Sequence, residues 1–85
     1  MGAPQAYSRH ADNAAQEAML LQATAEREAA INRFREGITQ AGVTPEQIVL
    51  LATDLKEVLG SVSAVIDVAK TISDEAKRII ERAMQ

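Results

Sequence analysis

The sequence predicts an all-α fold: an antiparallel helical hairpin with coiled-coil-like packing, completed to a three- or four-helix bundle by self-association or by a partner. Three observations carry that prediction. Residues 8–41 hold no proline and are rich in Ala, Glu, Gln and Arg, all strong helix formers. The stretch Ile38-Thr-Gln-Ala-Gly-Val-Thr-Pro-Glu-Gln-Ile48 reads as one helix stopping and another starting. Beyond it, apolar residues recur at alternating spacings of three and four as far as Ala83.

Residues 1–7 contain Gly2 and Pro4, show no periodicity, and are expected to fray. The remainder, 8–85, reads as a single domain. Its first helix is expected over about 8–41, with a seam of Leu20, Ala23, Ala30, Phe34 and Ile38, interrupted by Arg27 and flanked by Ile31. Large side chains lie near the turn, whereas Ala11, Ala14, Ala15 and Ala18 lie far from it. Tight packing is therefore expected at the hairpin end, with the far end looser or waiting for another chain.

The turn is expected at 42–44. Gly42 supplies the left-handed conformation that closes a helix, and Ile38 and Val43 fall where the Schellman motif places its apolar contact. Thr44 is the N-cap, Pro45 takes the first helical position, and Gln47 completes a capping box. Val43 and Ile48 occupy the two positions of a hydrophobic staple. So short a connection makes the two helices antiparallel.

The second helix is expected over about 45–84. Its seam is Ile48, Leu51, Leu55, Val58, Val62, Val65, Ala69, Ile72, Ala76, Ile79 and Ala83, widened by Leu59, Ile66 and Ile80. Thr53, Gly60, Asp67, Asp74 and Glu81 form the opposite face, and Asp74 and Arg78 stand at the spacing of a supportive ion pair. Such a helix would be about 60 Å long. Its stripe is broader than a two-stranded seam needs and suits a bundle. Gly60, flanked by Ser61 and Ser63, is a candidate kink or break, and Thr71-Ile-Ser-Asp74 is a second. Because the heptad passes Gly60 in phase, a continuous or gently bent helix is expected.

Composition narrows the function. Of the 85 residues 47% are hydrophobic, but aromatics are only 2% and Tyr7 and Phe34 are the sole rings. A core so rich in alanine is thin, and small chains with thin cores lean on oligomerisation or a partner. With no cysteine there is no disulfide framework, thiolate metal site or cysteine nucleophile. The net charge is −3, with signs interspersed in both halves, so no basic stripe offers itself to nucleic acid. No run of apolar residues approaches a membrane span, and residues 1–9 lack a signal-peptide layout. A cytoplasmic protein is expected, with signal-less export left open.

Catalytic signals are absent. His10 has only Asp12 near it, which reads as a surface histidine rather than a metal ligand. Glu26, Arg27, Glu28, Arg33, Arg35 and Glu36 alternate in sign and read as a solvated, ion-paired face, with Arg33 and Arg35 as an alternative docking rim. Met19, Met84 and the pair Leu20-Leu21 read as bundle filling or as a pliable contact surface. No enzyme, cofactor, metal or small-molecule substrate is expected. The expectation is a non-catalytic protein–protein interaction or assembly module that uses the second-helix seam. A self-assembling structural subunit, forming a filament or closed oligomer, is the alternative.

Residues 33–70 carry a family resemblance. Pro45, Glu46 and Gln47 at the turn, followed by Leu51, Leu55, Leu59 and Gly60, resemble the small helical-hairpin co-chaperones of bacterial type III secretion. Those proteins keep the needle subunit from polymerising early. The sequence departs from them at Ile48, where an aromatic is frequent, and extends further at its C-terminus. Needle subunits, also two-helix hairpins with a proline in the turn, are the second likeness. Either resemblance implies an assembly protein of a secretion apparatus whose partner is itself a protein.

Overall fold

Four helices follow one another in the computed structural model, which describes residues 2–85 and the side chains from residue 14 onward. They are α1 (Gly2–Ile38), α2 (Pro45–Leu59), α3 (Val62–Lys70) and α4 (Asp74–Met84). No strand occurs among the described residues, as the all-α prediction requires. Helix α1 begins at Gly2 rather than at residue 8, so it takes in residues 2–7 of the segment expected to fray. The expectation for His10 falls outside the described side chains.

The turn between α1 and α2 forms largely from the devices read in the sequence. Thr44 Oγ1 accepts the Gln47 amide at 3.2 Å, while the Thr44 amide donates to Gln47 Oε1 at 3.0 Å, closing the capping box with Pro45 in the first turn. Val43 and Ile48 join the same apolar cluster. Gly42 is left-handed, with φ 78°. Its role differs from the Schellman cap, however. The Val43 amide donates to the Gln40 carbonyl, which makes Gly42 the third residue of a type II-like turn. Helix α1 ends at Ile38: the Thr39 amide still reaches the Arg35 carbonyl at 3.2 Å, and the Gln40 amide then turns to the Gly37 carbonyl at 3.5 Å in a tighter closing turn.

The single helix expected over 45–84 is three helices, and local capping explains both breaks. At Gly60 the backbone turns left-handed, φ 88°, and its amide closes on the Lys56 carbonyl at 2.7 Å. Ser61 immediately caps α3, its hydroxyl accepting the Ala64 amide at 3.2 Å. At the second break Thr71 Oγ1 donates to the Val68 carbonyl at 2.6 Å, and Ser73 caps α4 through the Ala76 amide at 3.3 Å. Stop and start signals thus stand side by side, and they outweigh a heptad that runs through them in phase.

The consequence is a head at one end of a rod. Helices α2, α3 and α4 pack on one another, and α2 packs on the C-terminal part of α1. The core comprises Ala30, Phe34 and Ile38 from α1, Ile48, Ala52 and Leu55 from α2, Val65, Ile66 and Ala69 from α3, and Ala76 and Ile80 from α4. Phe34, Val65 and Ile80 are its largest fully buried side chains. Within the chain, α3 and α4 pack on α2 and build a helical bundle.

Every described residue of α1 from 14 to 29 is exposed. The molecule measures 64 × 24 × 18 Å, with a radius of gyration of 18.4 Å. A compact chain of this length would have about 12 Å. The excess is the N-terminal part of α1, an arm that leaves the head.

Candidate protein-interaction surface

The residues expected to form the interaction seam divide three ways. Ile48, Leu55, Val65, Ile66 and Ile80 are buried in the chain's own core. Leu51, Leu59, Val62, Ile72 and Ile79 are half-buried around it. Val58 is 45% exposed and lies outside the core. In α2 the buried line is Ile48, Ala52 and Leu55 rather than one through Leu51, and in α4 it is Ala76 and Ile80 rather than one through Ile79 and Ala83. The turn residues fall as their roles demand, with Phe34 and Ile38 buried, Val43 half-buried, and Gly42, Thr44, Pro45 and Gln47 exposed.

Packing α4 beside α2 opens a groove between them. Pro45, Glu46, Val49 and Leu50 line one wall, and Glu75, Arg78, Ile79, Arg82 and Ala83 the other, around a volume of about 990 Å³. Leu50 is 66% exposed on that wall. It also borders a shallower depression with Gly37, Gln40, Val43, Gln47 and Leu51. Sequence reasoning passed over Leu50 because it lies off the seam. The signal was nonetheless present: Ile48 to Leu51 are four consecutive apolar residues, which span more than one face of a helix, so some must point away from the core.

Among the described residues, the charges on the groove form no ion pair. The ion pairs among the described residues are Lys70–Asp67 at 3.8 Å and Lys77–Glu81 at 3.9 Å, both solvent-exposed and therefore weak. Arg78 does not pair with Asp74 as its spacing suggested, and Arg82 is in no ion pair among the described residues. On α1 the alternating charges are exposed as expected, but they bond elsewhere or not at all. Arg35 reaches Asn32 at 3.2 Å, and Gln22 donates to Glu26 at 3.4 Å.

A second apolar surface lies on the arm. Met19, Leu20 and Leu21 are 69, 68 and 72% exposed. Where the arm leaves the head, Leu20, Ala23, Thr24, Arg27, Glu57 and Val58 line an open depression.

Among the described residues no polar side chain is buried, and no group of three His, Cys, Asp or Glu residues is placed to hold a metal ion. Glu26, Glu28 and Glu36 are all exposed, without the desolvation that tunes a carboxylate for proton transfer. None of the described helices is long and apolar enough to cross a membrane. No family model, curated protein or solved structure matches the chain.

Proposed function

We propose that the chain is a non-catalytic interaction module whose α2/α4 groove takes an amphipathic helix from a protein partner. The observation that carries this reading is Leu50, exposed on an apolar wall that faces Ile79, Arg78 and Arg82. A guest helix would lay its apolar face on Val49, Leu50 and Ile79 and set a carboxylate against the two unpaired arginines. Such docking reuses the ridge-and-groove packing that holds helices together within a chain. In its narrower form, supported by the likeness of residues 33–70 to secretion co-chaperones, the guest is a helical subunit of a bacterial secretion apparatus held back from assembly.

A photo-crosslinking side chain at position 50, in the full chain and its native cell, tests the reading. One protein should be captured, and the charge reversals Arg78→Glu and Arg82→Glu should abolish its capture. The narrower form requires that protein to be a helical-hairpin subunit. Capture that survives both reversals, or a pattern no different from a crosslinker at exposed Glu57, removes the groove as the site.

A further inference from the structure

We infer that a second copy of this chain lies antiparallel along residues 14–27 of α1, on the face that carries Leu20 and Ala23. Area is the first argument. The chain exposes 6253 Å², whereas a compact monomer of 9.2 kDa is expected to expose about 4,900 Å². The excess, roughly 1,300 Å² per chain, is spread over all sides of the arm and exceeds the about 800 Å² that each partner contributes to a standard interface.

Continuity is the second argument. The face of α1 that packs in the head through Ile38, Phe34 and Ala30 runs on to Ala23 and Leu20 at spacings that keep one side of a helix. Helix α2 ends at Leu59, so its cover over α1 stops at Val58 and the open depression there. Beyond that point the same face of α1 carries Leu20 and Ala23, with Gln16 and Arg27 beside them, uncovered within the chain.

Geometry chooses the orientation. The head occupies one end of α1 on this same face, so two parallel arms would drive one head into the other. Antiparallel arms place the heads at opposite ends. Charge agrees with that choice. Arg27, the residue that interrupts the seam, and Glu17 lie on the same side of the arm, and neither has an ion-pair partner among the described residues. An antiparallel pair centred between them sets each Arg27 beside the Glu17 of the second copy, whereas parallel pairing sets like beside like. The surface is separate from the α2/α4 groove, so either can fail without the other.

Sedimentation equilibrium of the full chain and five variants tests the inference. The wild type should weigh twice the 9.2 kDa chain. Leu20→Glu should be monomeric, with amide protection at Val65 and Ile80 unchanged to show that the head is folded, and Leu50→Glu should remain a dimer. Glu17→Arg and Arg27→Glu should each weaken the dimer about tenfold, and the doubly swapped chain should return to within about twofold of the wild type. A wild-type Kd weaker than about 1 mM overturns the inference. So does growth beyond two copies, a dimer lost with Leu50→Glu but kept with Leu20→Glu, or a double swap no better than its parents.

Discussion

Gly37 of α1 lies so close to Leu51 of α2 that a β-carbon on the glycine would stand 2.5 Å from Leu51 Cδ1 and 3.1 Å from Cδ2. The two helices approach here because one of them has no side chain. Leu51 is only half-buried and can swing aside, which limits the cost of a single methyl. Gly37→Ala should gain about 1 kcal/mol of helix propensity and lose a similar amount in displacing Leu51, for a net change under about 1 kcal/mol. Gly37→Val adds bulk without that gain and should lose about 1–3 kcal/mol. Chemical unfolding should rank valine well below alanine and wild type; three indistinguishable curves would mean the helices are not this close.

Gly60 supplies a test that turns on sign. Its φ of 88° is left-handed, and a β-carbon there would meet nothing within 4 Å, so only the backbone resists substitution. Gly60→Ala should destabilise by about 1–2 kcal/mol. In an unbroken helix over 45–84 the same change would stabilise by about 1 kcal/mol.

The serine caps make the same distinction independently. Ser61→Ala and Ser73→Ala each remove the hydroxyl that satisfies an orphan amide, of Ala64 and Ala76 respectively. Each should cost about 1 kcal/mol in the unfolding free energy. Inside a continuous helix both substitutions would be neutral or slightly stabilising, because alanine is the better helix former.

Val65 and Val58 stand on the same heptad seam and should respond oppositely. Val65 is fully buried among apolar side chains, with no buried polar group in the core to receive a charge. Val65→Asp should cost several kcal/mol and leave the head unfolded by circular dichroism. Val58→Asp, at 45% exposure, should shift head stability by no more than about 0.5 kcal/mol. Equal effects would restore the uninterrupted seam.

The parts of this fold that were legible in the sequence are those specified locally. Thr44, Pro45 and Gln47 announce the start of α2 within four residues, and Phe34 and Ile38 stand out as the bulky end of a seam of alanines. What was misread is the competition between a long-range period and short-range caps. A heptad in phase across Gly60 is equally served by one straight helix and by short helices that each turn an apolar face to a shared core. The two readings bury most of the same residues, so periodicity could not separate them. The pairs Gly60-Ser61 and Thr71-Ser73 could, since each sets a helix stop against an N-cap. The groove was out of reach because it exists only once α4 doubles back on α2, and its most exposed large apolar residue, Leu50, belongs to no seam.

The distance between spin labels at positions 46 and 82, in labelled chain diluted with unlabelled chain, tests the doubling-back directly. Glu46 and Arg82 line one groove, so the labels should lie under about 25 Å apart. A distance near 54 Å, the span of an unbroken helix between them, would contradict the head, the groove and the binding mode built on it.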